Sequence, residues 1–350
     1  MSSVDLIIVV LTIIGTGIAA VLVTVAVSSL VRAHRIRMEP SLGDARQAIV
    51  EALSGGEAET DRAFSVLSRF SDRYVAEVML DMAPSVTGTS RSVLVVLGER
   101  TGMLRHARIG VRRRRWSTRL YSARVLSAFG VETEELPRLM KDRSPEVRAQ
   151  AAAWAVTAPK DETLAGLIGL LGDTDGLCRF AAQDALIRVG LPASDSLISA
   201  LDSVDGEVTQ RILEVATAMG DGRFYRPAVE LVEDPSPETR ALAAAVLART
   251  GSPQAGPELV RLLEDPSEVV VLAAAVGIAK LAYWPGCAEI EPLLSHPSWE
   301  LRRQAGVTLL ALGAPGTILL RSAAPGYGLA AEIATQALQL QSLSTLEVGA

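Results

Sequence analysis

A pattern of polar, small and apolar positions recurs about every 31 residues through the second half of this sequence. Within each copy the apolar and small residues are three and four positions apart, the spacing of one face of an amphipathic helix. A shorter apolar segment precedes most copies, as at 164–172 and 257–265. The predicted unit is therefore a pair of helices joined by a tight turn. Six copies of the turn and second helix fit one frame: 142–159, 173–190, 203–220, 234–251, 265–282 and 296–313.

Each copy carries signals for the beginning and the end of its second helix. A Ser or Asp stands at the expected N-cap, where a side-chain oxygen accepts a hydrogen bond from an unpaired backbone N–H. A Gly follows the helix in four copies, which predicts a left-handed residue that ends it. The predicted N-caps are Ser144, Asp175, Asp205, Ser236, Ser267 and Ser298, and the predicted ends are Gly190, Gly220, Gly251 and Gly313.

One face of the second helices is predicted to be buried. Small residues seven positions after the cap allow neighbouring helices to approach closely, and large aliphatic residues eleven positions after the cap lie on the same face. One helix pair cannot bury this face alone, so the pairs are expected to stack around a continuous core. The small residues are Ala151, Ala182, Ala243, Ala274 and Ala305, and the aliphatic residues are Leu186, Leu247, Ile278 and Leu309.

The motif D-x-[ST]-P-E-x-R-x-x-A-A-x-A-L, at this period, resembles bacterial HEAT-like repeats of the phycobiliprotein-lyase type. The resemblance covers roughly residues 115–313. It implies an all-α fold, a HEAT-like α-solenoid of about seven helix pairs, in which turn Asp and Arg residues staple neighbouring repeats. It implies little about activity, because such repeats serve in scaffolds, adaptors and a few enzymes alike.

A long apolar segment lies near the N-terminus. Residues 6–31 contain no charged side chain, and 26 residues make a helix of about 39 Å, enough to cross a hydrocarbon core of about 30 Å. Three arginines follow at once, which predicts a single-pass anchor with its N-terminus outside and the rest cytoplasmic, at the plasma (inner) membrane. The alternative is a cleaved signal peptide, although residues 1–5 lack the usual basic charge. Gly15 and Ala19 form a small-xxx-small pair that suits a homodimer.

Positive charge is concentrated where the repeat frame begins. Nine arginines and no Asp or Glu lie between Arg100 and Val131, in a chain whose net charge is −6. The frame aligns Arg115 with the N-caps and Arg119 with the repeated arginine, so the run belongs to an inter-helix turn. The candidate partner- or lipid-binding residues are Arg105, Arg108, Arg112, Arg113, Arg114, Arg115 and Arg119.

Three interpretations of this arginine segment stay open. The arginines face the anionic cytoplasmic leaflet, where each basic residue contributes about 1 kcal/mol of binding free energy. Alternatively they bind an acidic protein partner. In the third interpretation they are solvated, or they pair within the chain with Glu132, Glu134 and Glu135.

The chain divides into three predicted regions. Residues 1–37 form the transmembrane helix and its basic flank, 38–100 a helical region outside the repeat frame, and 101–350 the solenoid with a C-terminal cap. Residues 1–131 carry 17 Lys+Arg against 11 Asp+Glu, whereas 132–350 carry 17 against 29. An acidic distal part disfavours nucleic acid, which needs a sustained basic stripe.

No residues for catalysis, a cofactor or a metal stand out. Cys178 and Cys287 are far apart, the three histidines are scattered, and no metal, nucleotide or nucleophile motif occurs. The predicted function is therefore a non-catalytic, membrane-anchored scaffold or adaptor that binds a protein partner at the cytoplasmic face, with a membrane enzyme such as a glycosyltransferase as one candidate partner. The alternative is a lyase or chaperone that acts on a tetrapyrrole-type chromophore or cofactor, as the resemblance to phycobiliprotein lyases implies.

Overall fold

A computed structural model describes residues 43–86, 88–157 and 159–348, and the described residues are helical apart from their turns. The first twelve helices are α1 (43–54), α2 (Glu57–Leu67), α3 (Asp72–Met82), α4 (Gly88–Arg100), α5 (Met103–Gly110), α6 (Trp116–Ala128), α7 (Leu136–Leu139), α8 (Pro145–Ala155), α9 (Asp161–Leu171), α10 (Gly176–Val189), α11 (Ser194–Leu201) and α12 (Gly206–Met219). The last eight are α13 (Tyr225–Leu231), α14 (Pro237–Leu247), α15 (Ala255–Arg261), α16 (Glu268–Lys280), α17 (Cys287–Ile290), α18 (Trp299–Ala311), α19 (Ala314–Ala323) and α20 (Leu329–Val348).

Short 3₁₀ segments complete several first helices. They lie at Ala83–Ser85, Leu191–Ala193, Gly222–Phe224, Leu262–Glu264, Trp284–Gly286 and Glu291–Ser295. The chain divides into two compact units between Val131 and Glu132. Unit 1 contains α1 to α6, and unit 2 contains the seven helix pairs from α7 to α20. The first predicted pair, α5 with α6, belongs to unit 1 together with the N-terminal helices.

Unit 2 is a stack of second helices with their first helices packed beside them. The second helices, α8 to α20 in even numbers, contact one another in chain order. The predicted small and aliphatic columns are confirmed as its core, because every one of those nine side chains is 0% exposed. The alanines leave room for the next helix, and the branched residues fill the space between helices. The predicted terminal cap at 329–341 forms the first part of α20.

The predicted helix starts are confirmed, but only half of the predicted caps act as hydrogen-bond acceptors. Gly190 and Gly220 directly follow the last helical residue, whereas Gly313 lies two residues and Gly251 four residues after it. All six predicted N-cap residues precede the first helical residue directly. Asp175, Asp205 and Ser236 accept a bond from a backbone N–H of the first turn. Ser144 instead donates its hydroxyl proton to the carboxylate of Glu146. The four predicted terminal glycines have φ between 66° and 74°, a conformation in which a side chain would strain the backbone.

The predicted staple between repeats is confirmed at two junctions of unit 2. Arg148 donates two hydrogen bonds to the carboxylate of Asp173, and Arg240 does the same to Asp265. Each arginine lies in a second helix, and its Asp lies in the next turn, 25 residues later. The carboxylate also accepts a hydrogen bond from the backbone N–H two residues on, at Asp175 and Ser267. One Asp therefore closes its own turn and holds the preceding repeat.

We call the series of Arg–Asp pairs between successive repeats the ladder. The ladder is interrupted where the sequence departs from the motif. The junction that follows Arg179 has Ser203 in place of the turn Asp. At a later junction Val271 replaces the arginine and His296 replaces the Asp, although His296 Nδ1 still accepts the backbone N–H of Ser298 at 3.0 Å. His296 is therefore a turn residue, as the frame predicts.

Unit 1 contains the helices that the repeat frame did not explain. Helix α4 packs against α2 and α5, and α3 packs against both α5 and α6. Helices α5 and α6 approach very closely at Gly110, where an added Cβ would stand 2.0 Å from the Ser122 hydroxyl oxygen. This contact fixes the spacing of the two helices that flank the arginine segment.

The predicted membrane anchor at residues 6–31 lies outside the described residues. Within 43–86, 88–157 and 159–348, no helix is both long enough and apolar enough to cross a membrane.

Candidate functional site

The arginine segment comprises α5, the turn at 111–115 and the start of α6. Its turn is the point at which the chain reverses between the two helices of the first pair. The side chains of residues 112–116 are exposed, and the apolar Ile109 and Trp116 are each 48% exposed beside them. The structure therefore presents the cations and two large apolar groups on one surface of unit 1.

Two of the predicted site residues form hydrogen bonds that stabilise unit 1. Arg119 donates to the backbone carbonyls of Arg113 and Arg114 at 2.9 and 2.6 Å, which closes the turn. Arg108 donates to both carboxylate oxygens of Glu99, and this hydrogen bond lowers the pKa of Glu99 below its ordinary value. The side chains of these two arginines therefore stabilise the fold of unit 1.

The remaining arginines differ in their surroundings. Among the described residues, Arg105, Arg113, Arg114 and Arg115 have no hydrogen-bond or ion-pair partner for their side chains. Within unit 2, Glu132 accepts a hydrogen bond from Lys160, and Glu135 accepts one from Arg138.

A groove of about 620 Å³ lies between α3, α5 and α6. Its apolar wall includes Met103 and Val125, which are buried. Arg113 and Arg115 line it, and so does Arg73 of α3, which is absent from the residues predicted from the sequence. An adjoining depression of about 490 Å³ is lined by Arg108, Ile109, Arg112 and Arg113. Arg105 and Arg114 line neither cavity.

A second candidate surface lies on α10 in unit 2. Leu177, Phe180 and Ile187 are spaced to share one face of that helix, and they are 53%, 68% and 41% exposed. The position of Leu177 is occupied in the neighbouring helices α8 and α12 by the exposed Glu146 and Glu207. We call this surface, formed by Leu177, Phe180 and Ile187, the α10 apolar stripe. Exposed apolar groups clustered in this way mark contact sites more often than inert surface.

The two cysteines lie inside the helix stack. Cys178 is 0% exposed and Cys287 is 8% exposed. Burial raises the pKa of both thiols, which keeps them protonated and weakly nucleophilic. In the part of the chain that the structure describes, no three His, Cys, Asp or Glu side chains gather in a geometry that suits a metal ion.

Two stretches of unit 2 match the family model described as HEAT repeats, at residues 133–217 and 225–311. These stretches are HEAT repeats. The match covers the helix pairs whose arginine and Asp side chains form the ladder. The matched residues end with α18, and the exposed α10 apolar stripe lies within them.

Comparison with solved structures places these HEAT repeats among helical solenoids. Kap121p bound to Pho4p has a TM-score of 0.52 at 13% identity, over 80% of this chain and 38% of that one. The CpcE and CpcF complex of phycocyanin lyase from Nostoc sp. PCC7120 has a TM-score of 0.32 at 19% identity, over 62% and 92%. An engineered protein has a TM-score of 0.36 at 18% identity, over 85% and 94%. No curated protein matches the sequence.

Proposed function

We propose that this protein is a non-catalytic, membrane-anchored HEAT-repeat scaffold that holds a protein partner at the cytoplasmic face of the plasma membrane. The observation that carries the proposal is the α10 apolar stripe. An exposed Phe in the middle of a rigid helix stack costs solvation free energy, and a partner that covers it recovers that cost.

The charge around the stripe indicates the chemistry of the partner. Residues 132–350 carry twelve more acidic than basic side chains. Glu146 and Glu207 stand on either side of Leu177, and Asp184 lies within the stripe itself. A partner segment that fits this surface carries Lys or Arg on one side and an apolar residue for Phe180 on the other. Kap121p, a solenoid of similar fold, is known in complex with the protein Pho4p.

The anchor is supported by the 26 uncharged residues at 6–31 and the arginines that follow them. Fractionation of cells tests it directly. The full-length chain should stay with the membranes after an alkaline carbonate wash, and a variant without residues 6–31 should be released. Release of the full-length chain by the same wash would contradict the anchor.

Crosslinking in native membranes tests the scaffold. The wild-type chain should capture one reproducible partner, with the crosslink mapped to α10 and to a basic segment of the partner. Phe180→Glu should abolish the capture because it adds a charge to the apolar centre. Ile318→Glu is the matched control, since Ile318 is 62% exposed on α19, outside the stripe. A partner that survives Phe180→Glu, or the absence of any reproducible partner, would overturn the proposal.

A tetrapyrrole lyase or chaperone remains a prediction from resemblance. An absorbance spectrum of the purified full-length chain tests it by looking for a bound pigment. A visible band that co-purifies with the chain would favour this alternative over the scaffold.

A further inference from the structure

We propose that the groove between α3, α5 and α6 is a binding site for a phosphate group. It lies wholly in unit 1 and is independent of the α10 apolar stripe, so it is a second binding function rather than a part of partner capture. We call it the phosphate groove and define it by Arg73, Arg113, Arg115, Ser117, Thr118 and Tyr121.

The phosphate groove carries unbalanced positive charge. Three guanidinium groups line the phosphate groove, and no Asp or Glu occurs among its described lining residues. None of the three has a hydrogen-bond or ion-pair partner among the residues that the structure describes. Like charges that converge on one concave surface repel one another, and a bound anion removes that repulsion.

The hydrogen-bond donors of the phosphate groove match a phosphate group in number and kind. A guanidinium presents a planar fork of N–H groups that matches both carboxylate and phosphate. A carboxylate has two oxygens, which one or two guanidinium groups satisfy, whereas a terminal phosphate has three strong acceptor oxygens and up to two charges. The phosphate groove adds the hydroxyls of Ser117 and Thr118 to its three guanidinium groups. This donor set suits phosphate better than it suits an acidic peptide.

Only some arginines of the run at 112–115 line the phosphate groove. Arg113 and Arg115 line the phosphate groove, while Arg114 between them does not. Arg105 is equally exposed on α5 and also lies away from it. A general basic patch would use all of these residues alike. A specific site instead uses Arg73, Arg113 and Arg115. Substitutions of Arg105 and Arg114 are therefore matched controls, because they remove the same charge without changing the lining of the groove.

The phosphate comes from one of two sources, a soluble phosphorylated compound or the headgroup of an anionic phospholipid. The full-length chain in nonionic detergent is titrated with inorganic phosphate and with glycerol 3-phosphate, and heat is measured. In the second arm the chain is reconstituted in nanodiscs of phosphatidylcholine with or without phosphatidic acid. Hydrogen exchange of residues 103–122 then reports protection of the phosphate groove by the lipid.

The expected result is saturable binding in at least one arm. Arg113→Gln and Arg115→Gln should each weaken it about tenfold or more, because each loses a charge-assisted hydrogen bond. Arg105→Gln and Arg114→Gln should change it less than about twofold, since they lower only the general positive potential. Protection by phosphatidic acid without binding of the soluble probes identifies a lipid source, and the reverse result identifies a soluble one.

Three outcomes would overturn the proposal. The first is an equal effect of all four substitutions, which would indicate a diffuse basic surface. The second is no saturable binding in either arm. The third is binding of a Glu-rich peptide in preference to both phosphate probes. Circular dichroism of each variant checks that the exposed substitutions leave the helices intact, and the partner-capture experiment is unaffected by any of these outcomes.

Discussion

The guanidinium of Arg148 binds the carboxylate of Asp173 through two parallel hydrogen bonds, from Nε and Nη2, each 2.7 Å long. The two side chains are only 15% and 10% exposed, and they come from adjacent HEAT repeats. The bond lowers the pKa of Asp173 below its ordinary value. This geometry joins two repeats through a charged pair in addition to their apolar packing.

Loss of this pair should destabilise unit 2. Asp173→Asn should lower the free energy of unfolding by about 2 kcal/mol, because it removes a charged acceptor from a largely buried guanidinium. Urea unfolding followed by circular dichroism measures the change. Arg226→Gln is the control, since Arg226 and its partner Glu230 are 89% and 69% exposed. The control should change the same free energy by less than about 0.5 kcal/mol. Equal effects of the two variants would contradict a special role for the buried pair.

Asp221 should make the free energy of unfolding depend on pH in the acidic range. Burial alone would raise its pKa, but hydrogen bonds from the Arg223 guanidinium and backbone outweigh burial and lower the pKa to about 2. A carboxylate with a lowered pKa stabilises the fold when ionised. That stabilisation is complete above the ordinary Asp pKa of about 3.9 and is lost as the pH falls towards 2.

The urea midpoint of wild type and of Asp221→Asn should therefore differ most near pH 6. The difference should shrink steadily between pH 4 and pH 2, as wild type becomes protonated. Asp195→Asn, whose carboxylate is 80% exposed and also contacts Arg223, should change the midpoint less at neutral pH. A difference between wild type and Asp221→Asn that does not vary with pH would show that charge is not the cause.

An Arg–Asp pair should form at the junction where the ladder is interrupted by Val271 and His296. Val271 and His296 occupy the arginine and Asp positions of one junction, and Val271 is 6% exposed. Val271→Arg alone should destabilise unit 2, because a guanidinium would be buried without a carboxylate. Val271→Arg with His296→Asp should recover stability, with a favourable coupling free energy of about 1 kcal/mol or more in a double-mutant cycle.

A neutral double substitution distinguishes the effect of charge from the effect of side-chain volume on the coupling free energy. Val271→Met with His296→Asn fills similar space but forms no ion pair, and it should show a coupling free energy near zero. If the charged and neutral pairs couple equally, the ladder geometry does not transfer between junctions.

The repeat pattern predicted unit 2 well because every column is sampled six times. The buried alanines and the turn glycines follow from positions that recur in one frame, whereas the Arg–Asp staple is what the resemblance to HEAT-like repeats implied. The caps show the limit of such a pattern. Ser144 and Ser236 share a column and each donates to a carboxylate two residues later, at Glu146 and Glu238. Only Ser236 also caps its helix, and the shared column does not reveal this difference.

The candidate sites were harder to predict because they depend on contacts between distant or irregular segments. Arg73 reaches the phosphate groove from α3, about 40 residues before Arg113, in a region without a repeat frame. Phe180 occupies a repeat position that holds the polar residues Gln210 and Arg303 in other repeats, which indicates an exposed position. The apolar periodicity alone does not show this, because it counts Phe180 as one more apolar residue. The arginine segment itself was visible from charge, but its division into groove-lining and outlying residues was not.

The column arginines also bind main-chain carbonyls, and this bond needs no particular side chain in the turn. Arg119, Arg148, Arg179, Arg240 and Arg302 each donate Nη1 to the carbonyls five and six residues before them. Every amino acid has that carbonyl, so a turn closed in this way accepts almost any sequence. Evolution is therefore free to rewrite the inter-helix turns of this protein, and a cluster such as Arg112 to Arg115 can arise or disappear while the helices around it stay where they are.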